Sequence, residues 1–333
     1  MSRAAVLAGI GSCLPPRAVS NEELTARLDT SDEWIRTRTG IGQRFFAAEG
    51  TTTSDLAAGA GARALKSAGT DLADTVVVAT TTPDRPCPAT APTVATKLGM
   101  TGVAAFDVSA VCTGFVYGLA TAVGLISAGA ADRVLVIGAE TFSTILNPAD
   151  RSTGVIFGDG AGAMLLRAGE SDEPGAFGPF DLGSDGTGAD LITVRAGGSQ
   201  QRLSSVAVAP DEQYFSMAGK EVFWRAVQRM SRSASAVLER AGWRSADVDW
   251  LVAHQANLRI LNRVADDLGF GPEKSIGNIG EVGNTAAASI PLALDHAHAA
   301  GRLHAGDRVL LTAFGGGLTW GSAVLTWPEL ATL

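Results

Sequence analysis

The residues of this sequence best suited to covalent chemistry are a cysteine, a histidine and an asparagine that lie far apart along the chain. Cys112 follows a short apolar run, 104–108, and begins a long run that is nearly free of charge. We interpret this pattern as a strand, a tight turn and a buried helix, with the thiol at the turn. Free backbone N–H groups and the positive end of a helix dipole favour a thiolate over a thiol. The position therefore predicts a nucleophile whose pKa is lowered.

The alternative interpretation of Cys112 is a buried structural cysteine, the commoner situation for a lone cysteine in an apolar segment. A histidine half a chain away argues for the nucleophile, because His254 directly follows a predicted strand and a thiol needs such a partner. The other histidines have the settings of solvated surface residues. His296 and His298 lie on a polar amphipathic helix, and His304 lies in a loop.

The elements that must position these residues occur twice along the chain. Asp132-Arg133-Val134-Leu135 is echoed by Asp307-Arg308-Val309-Leu310, at a spacing of roughly 174 residues. The same offset places the turn that contains Asn284 over the turn that contains Cys112. Two equivalent turns that meet at a pseudo-twofold centre would bring these side chains together, so Asn284 becomes the third candidate.

Each part alternates predicted strands and helices, which indicates an α/β protein with two open sheets around central helices. We predict an N-terminal half, 1–171, that carries the nucleophile, and a C-terminal half, 172–333, that carries the histidine and the asparagine. The interval 168–216 is Gly-rich and weakly periodic, so we assign it to an insertion of loops and small strands. The glycine run 158–163 lacks the GxGxxG spacing and is interpreted as a close-packed turn before a strand.

Composition limits the classes of function. The 333 residues are 46% hydrophobic and 18% charged, which is typical of a closely packed α/β enzyme. A net charge of −8 without a long basic run argues against a nucleic-acid binder, so an acidic partner must dock on a local basic patch. The cysteines lack metal-ligand spacing, which predicts reduced thiols in the cytoplasm and no metal site. No apolar run is long enough to predict a membrane span.

Taken together, these motifs resemble the β-ketoacyl-acyl-carrier-protein synthase III family, condensing enzymes of the thiolase superfamily. The resemblance extends over almost the whole chain and rests on 32–41, 107–119, 157–163, 217–219, 254–259, 283–291 and 314–321. It implies a duplicated, five-layer αβαβα thiolase fold and a homodimer. It also implies decarboxylative condensation of an acyl-CoA primer with malonyl-acyl carrier protein, without a metal or other cofactor.

The same resemblance implies roles for individual residues. Cys112, His254 and Asn284 would form the catalytic triad, and the backbone N–H groups of Cys112 and Gly316 would form the oxyanion hole. The further residues with an implied role are Trp34, Arg38, Arg151, Gly219 and Asn257 for coenzyme A, Arg259 for carrier-protein docking, and Cys87 and Phe314 for the primer pocket.

Four departures from the family pattern accompany the resemblance. Val111 and Thr113 replace the alanines that usually flank the cysteine, and Ala286 stands where serine is common. Cys87 occupies a loop position that is often phenylalanine in acetyl-specific members, so we expect a longer or branched primer.

Other functions stay open from the sequence. An acyltransferase of the same fold would pass the primer to an alcohol or amine without decarboxylation. A non-catalytic subunit similar to a chain-length factor would lack the nucleophile, which is present here. A thiol hydrolase of another fold is disfavoured, because the internal repeat pairs Cys112 with Asn284.

Overall fold

Residues 3–332 are described by a computed structural model, so the outermost residues of the two predicted halves, 1–2 and 333, lie outside the description. The strands are β1 (Arg3–Cys13), β2 (Arg17–Ser20), β3 (Gln43–Phe46), β4 (Thr75–Ala79), β5 (Ala104–Val108), β6 (Arg133–Glu140), β7 (Gly160–Glu170), β8 (Phe177–Ser184), β9 (Ile192–Thr193), β10 (Ser216–Met217), β11 (Trp250–Ala253), β12 (Arg308–Gly315) and β13 (Thr319–Thr326). The helices are α1 (Asn21–Thr25), α2 (Asp32–Thr39), α3 (Thr53–Ser67), α4 (Ala91–Lys97), α5 (Gly114–Ser127), α6 (Arg151–Gly154), α7 (Ser199–Arg202), α8 (Gly219–Ala241), α9 (Leu258–Leu268), α10 (Ile279–Val282) and α11 (Ser289–Ala299). None of the helices within 3–332 is long and apolar enough to cross a membrane.

The first large sheet has the strand order β1-β7-β6-β4-β5. Strand β4 runs parallel to both of its neighbours, and β7 runs antiparallel to β1 and β6. All five residues of β4, Thr-Val-Val-Val-Ala, are buried, as expected for a parallel strand covered on both faces. Helices α3 and α4 pack on the outer face through residues such as Leu56, Ala60 and Val94.

The second large sheet has the order β11-β12-β13-β8, with α8 and α9 on its outer face. It corrects the prediction for 168–216, because β7 continues to Glu170 and β8 is an eight-residue strand paired with β13. Strand β8 has the sequence FGPFDLGS and is only partly buried at the edge of the sheet. Because it contains glycines and a proline and has no apolar run, the sequence pattern did not predict a strand here.

Helices α5 and α11 lie between the two sheets and complete the core. Phe115 and Leu119 of α5 and Ile290 of α11 are buried in one cluster with residues of β1, β6 and β12. The layers are therefore outer helices, sheet, central helices, sheet and outer helices, so the predicted five-layer αβαβα fold is confirmed. The two sheets use residues from 3–170 and 177–326, and the division between residues 171 and 172 stays a proposal.

The C-terminal tail changes the setting of one histidine. His298 is buried, contrary to the prediction of a solvated side chain, and its ring centroid lies 6.0 Å from that of Trp327. Its Nε2 also lies 3.5 Å from the carbonyl oxygen of Ala331. The tail covers this face of α11, which the pattern of the helix alone could not indicate. His296 and His304 are exposed, as predicted.

Candidate active site

A cavity of about 540 Å³ is lined by Cys112, His254 and Asn284 together. Each residue comes from a different part of the fold. Cys112 lies in a short 3-10 turn immediately before α5, His254 follows the last residue of β11, and Asn284 precedes the 3-10 turn before α11. The structure thus brings together in one cavity the three residues that the sequence predicted to react.

Cys112 has the predicted position near a helix N-terminus, but the expected lowering of its pKa is wrong. Burial raises the pKa of the thiol, and the negative charge of Glu140 acts in the same direction. Hydrogen bonding to the backbone of Cys112 lowers the pKa, but this effect is smaller than those of burial and of Glu140. The thiol is therefore protonated in the free site at neutral pH.

Glu140 is a buried carboxylate beside this site that the sequence reasoning missed. It ends β6 and accepts hydrogen bonds from the Thr81 backbone N–H at 3.0 Å and the Thr82 hydroxyl at 2.7 Å. Burial raises its pKa to about 7, although these hydrogen bonds favour the charged form. The carboxylate thus connects the loop after β4 to the region behind Cys112. An acidic residue directly after the uncharged run 134–139 was the available signal.

His254 is oriented by Ser289, a second residue to which the sequence reasoning gave no role. The ring Nδ1 lies 2.7 Å from the Ser289 hydroxyl oxygen, which also accepts the Gln255 backbone N–H at 3.3 Å. The hydroxyl hydrogen is then free to be donated to Nδ1, which favours the tautomer with hydrogen on Nε2. Burial lowers the pKa of His254 to about 3, so the ring is neutral.

The side-chain amide of Asn284 is held in one orientation by the backbone around it. Its Oδ1 accepts the Ala286 N–H at 2.9 Å, and its Nδ2 lies 3.4 Å from the Ala256 carbonyl oxygen. The main chain of Asn284 pairs with that of Ile156 and Gly158. One hydrogen of Nδ2 remains for a ligand, so the cavity offers donors from two uncharged side chains, the imidazole and this amide.

The loop that contains Gly316 packs against the turn of Cys112. A Cβ atom built on Gly315 would lie 2.8 Å from the backbone nitrogen of Cys112, so only glycine permits this approach. A Cβ on Gly316 would lie 3.2 Å from a side-chain carbon of Val111. The backbone at 315–316 is therefore adjacent to the Cys112 amide, an arrangement compatible with the predicted oxyanion hole.

The residues predicted to bind coenzyme A are arranged along the same cavity. Its lining includes Trp34, Arg38, Gly219 and Asn257, and also Arg259, which was predicted to dock the carrier protein. Arg151 does not line the cavity, but its guanidinium carbon lies 5.6 Å from the ring centroid of Trp34.

The charge of the cavity lining differs in sign from that of the whole chain. Among residues 3–332, the charged side chains that line the cavity are Arg38, Lys220 and Arg259, and no carboxylate lines it. The chain as a whole carries a net charge of −8. The lining therefore favours an anionic ligand.

The two residues predicted for the primer pocket lie in different places. Phe314 lines the cavity, whereas Cys87 is exposed on the loop between β4 and α4. Beside Cys112 the chain supplies an aromatic wall that the sequence did not predict. The rings of Phe142 and Phe157 stack with centroids 4.3 Å apart, and Phe215 lies 5.0 Å from each.

Comparison with known proteins identifies the family. The family model described as 3-oxoacyl-[acyl-carrier-protein] synthase III matches residues 106–186, and the model of its C-terminal part matches 238–327. A β-ketoacyl-[acyl-carrier-protein] synthase III of Streptomyces coelicolor is 70% identical to this chain, with 99% of each protein covered.

Solved structures agree with the family models. A 3-oxoacyl-(acyl carrier protein) synthase III from Pseudomonas aeruginosa PAO1 is similar, with 53% identity, a TM-score of 0.92 and coverage of 98% of this chain and 99% of that one. The priming β-ketosynthase from the R1128 polyketide pathway has 35% identity, a TM-score of 0.91 and coverage of 98% and 97%. Both the sequence and the fold are thus shared over nearly the full length, and the chain belongs to the β-ketoacyl-acyl-carrier-protein synthase III family of condensing enzymes.

Proposed function

We propose that this protein starts acyl chains by loading a primer from acyl-CoA onto Cys112 and condensing it with malonyl-acyl carrier protein. One observation carries the proposal. A single cavity contains a buried thiol, a neutral imidazole and an oriented amide, and the charged side chains of its lining are cations. This combination suits a thioester nucleophile that acts on substrates with phosphate groups.

In the first step, the sulfur of Cys112 attacks the carbonyl carbon of the acyl-CoA thioester. The backbone N–H groups of Cys112 and Gly316 stabilise the oxyanion that forms. The bond from the carbonyl carbon to the coenzyme A sulfur then breaks. The thiol proton ends on the departing coenzyme A, which leaves as a thiol.

In the second step, malonyl-acyl carrier protein loses carbon dioxide. The Nε2–H of His254 and one Nδ2–H of Asn284 donate hydrogen bonds to the thioester carbonyl, where charge develops as the enolate forms. The enolate carbon attacks the acyl thioester on Cys112 and displaces the Cys112 thiolate, which regains a proton. The product is a 3-oxoacyl chain on the carrier protein. The family needs no cofactor for this reaction, and coenzyme A takes part only as a piece of the substrate.

Coenzyme A binding requires a local movement in this arrangement. We place the adenine between Trp34 and Arg151 and a phosphate at Arg38, with the pantetheine arm along Gly219 and Asn257. An adenine that stacks on Trp34 on one face and on Arg151 on the other needs these two groups to be about 7 Å apart. The guanidinium carbon of Arg151 lies only 5.6 Å from the Trp34 ring centroid. The two side chains must therefore separate when the base enters.

A second copy of the chain would complete the assembly. Strand β5 ends the first sheet, and no strand within residues 3–332 pairs with its outer edge. The loop with Cys87 lies near this edge, because the Asp107 carboxylate of β5 accepts the backbone N–H groups of Thr90 and Ala91 at 2.7 Å each. We infer a homodimer that continues the sheet across β5. The free thiols of Cys13, Cys87 and Cys112 support a reducing, cytoplasmic location.

Intact-mass measurement with a panel of acyl-CoAs, followed by malonyl-acyl carrier protein, tests the proposal. The protein should gain one acyl mass, and the Cys112→Ala variant should gain none. Release of carbon dioxide should then accompany discharge of the acyl group. The His254→Ala and Asn284→Ala variants should keep much of the acylation and lose decarboxylation. Acyl transfer to an alcohol or amine without carbon dioxide release would contradict the proposal.

A further inference from the structure

Two threonines connect the two segments that would form the oxyanion hole. The hydroxyl of Thr113 donates to the backbone carbonyl oxygen of Thr319 at 3.2 Å, and the two hydroxyl oxygens lie 3.0 Å apart. Thr113 is fully buried and Thr319 is half-buried. We refer to these two side chains as the threonine pair.

The threonine pair also reaches the backbone on both sides of the proposed hole. The Thr319 hydroxyl oxygen lies 3.3 Å from the carbonyl oxygen of Ala110 and 3.1 Å from that of Gly316. Ala110 precedes the turn of Cys112, and Gly316 belongs to the loop between β12 and β13. The Thr319 hydroxyl has one hydrogen and therefore donates to one of these acceptors at a time. The bond from the Thr113 hydroxyl to the Thr319 carbonyl joins the turn of Cys112 to the start of β13, directly after the loop that contains Gly316.

Contacts at the hole itself leave little tolerance for movement. The Gly315 position comes so close to the Cys112 amide that a Cβ atom there would be only 2.8 Å from its nitrogen. Yet no regular ladder joins the turn of Cys112 to the loop, since β12 pairs only with β11 and β13 within the described chain. The threonine pair supplies hydrogen bonds where this ladder is missing.

We propose that the threonine pair is a positioning device that sets the distance and angle between the Cys112 and Gly316 N–H groups. The inference rests on the proposed function, since it concerns the oxyanion of the acylation step. Donors that stabilise an oxyanion act through fixed geometry, and a displacement of about 1 Å is costly in rate.

Single-turnover acylation by butyryl-CoA labelled with ¹³C at the carbonyl tests this role. Thr113→Val replaces the hydroxyl by a methyl group of the same size. We expect its maximal acylation rate to fall about tenfold, while the KM for butyryl-CoA changes less than twofold. The thioester carbonyl of the acyl-enzyme should also absorb at a higher infrared frequency, because the carbonyl accepts weaker hydrogen bonds. Thr113→Ser should restore both values to within about twofold.

Two further variants separate positioning from general loss of stability. Thr121→Val removes a hydroxyl from α5, the helix that follows Thr113. Within residues 3–332 this hydroxyl donates to the Tyr117 carbonyl, so the variant should leave both readouts unchanged. The double variant Thr113→Val/Thr319→Val should be within about twofold of the slower single variant, because the two side chains act together. Should Thr113→Val not fold, Thr319→Val gives the same readouts at a half-exposed site.

A wild-type rate and an unchanged carbonyl frequency in Thr113→Val would overturn the inference. So would equal losses in Thr113→Val and Thr121→Val, or failure of Thr113→Ser to rescue. These outcomes differ from failure of the proposed function, in which the wild-type protein itself would not be acylated.

Discussion

Val111 and Ala286 share a backbone conformation that no other non-glycine residue within 3–332 adopts, with φ angles of 48° and 45°. Each residue begins the 3-10 turn that leads into a central helix, α5 or α11. Left-handed φ values are unfavourable for side chains with a Cβ, and such strain is concentrated at functional sites. Cys112 directly follows Val111, and Asn284 lies just before Ala286. The two halves of the site are thus held at corresponding bends.

Loss of the Ser289 hydroxyl should impair the decarboxylation step selectively. Ser289→Ala removes the partner of His254 Nδ1, so the tautomer with hydrogen on Nε2 is no longer favoured. We expect carbon dioxide release to slow about tenfold, in line with the loss of one buried hydrogen bond, and acylation of Cys112 to change less than twofold. The ¹⁵N shifts of the His254 ring should report a mixture of tautomers.

The matched control for this experiment is Ser233→Ala. Ser233 is also buried, but it lies in α8 and does not line the cavity. Its hydroxyl contacts the Asp181 carbonyl oxygen at 3.4 Å. An equal slowing of carbon dioxide release in both variants would mean that Ser289 acts through stability alone.

Reversal of the charge at Arg259 should weaken the use of the carrier protein. Arg259 is exposed at the cavity, 5.6 Å from the ring centroid of Phe223. Arg259→Glu should raise the apparent KM for malonyl-acyl carrier protein about tenfold and leave that for acyl-CoA within twofold. Added salt should weaken binding in the same direction.

Arg263→Glu is the control on the same helix. Arg263 pairs with Asp267 at 2.8 Å and does not line the cavity, so its reversal should leave the carrier-protein KM nearly unchanged. If acyl-CoA and the carrier protein are affected alike by Arg259→Glu, Arg259 has a structural role instead.

The preference of the enzyme for primers of different length should depend on the residue at position 87. Across the proposed dimer, the loop with Cys87 would close the partner's primer pocket with a thiol in place of a phenyl ring. Each buried methylene contributes about 0.8 kcal/mol, or roughly fourfold in kcat/KM. We therefore expect butyryl-CoA or isobutyryl-CoA to be preferred over acetyl-CoA, and Cys87→Phe to shift the preference toward acetyl-CoA.

A chain-length series with Cys87→Ser as the control checks this expectation. Serine keeps nearly the same volume, so the preference should stay where the wild type has it. A wild-type preference for acetyl-CoA would show that the wall of Phe142, Phe157 and Phe215, and not Cys87, sets the primer length.

Glu140 should make stability depend on pH. Burial raises its pKa from an ordinary 4.5 to about 7 in the folded protein, so the folded state holds the proton more tightly. The contribution of Glu140 is then most favourable below pH 4.5 and is lost as the pH rises to about 7. Each pKa unit corresponds to about 1.4 kcal/mol, so the loss approaches about 3 kcal/mol of unfolding free energy.

Glu140→Gln isolates this effect, because glutamine does not titrate. His254, whose pKa is lowered to about 3, adds a pH dependence of opposite sign that is the same in both proteins. The difference in unfolding free energy between wild type and variant, measured by urea denaturation from pH 4.5 to 8, should therefore shift by about 3 kcal/mol. A constant difference across this range would show that Glu140 keeps an ordinary pKa.

The sequence predicted the layers of the fold and its reactive side chains because they rest on local signals. Strands β4 and β6 each contain an apolar run, 76–79 and 134–139, and Cys112 stands at a break between a strand and a helix. The missed features depend on contacts between distant segments. The burial of His298 is due to the tail, and the raised pKa of Cys112 is due to burial and Glu140. The partner of His254, Ser289, comes from α11, which is distant in sequence from the strand that precedes His254.

The position of α5 between the two sheets has a consequence for biosynthesis. Its sequence, Gly114–Ser127, contains no charged residue, and its buried side chains Phe115, Val116 and Leu119 share a cluster with Val309 and Leu311 of β12. Until the ribosome has made β12 and β13, the face of α5 that packs against the second sheet has no partner. The nascent chain must therefore expose an apolar surface through most of its synthesis, the kind of surface that chaperones bind. The core around α5 can close only after β12 and β13 have been made, because both strands contribute to its cluster.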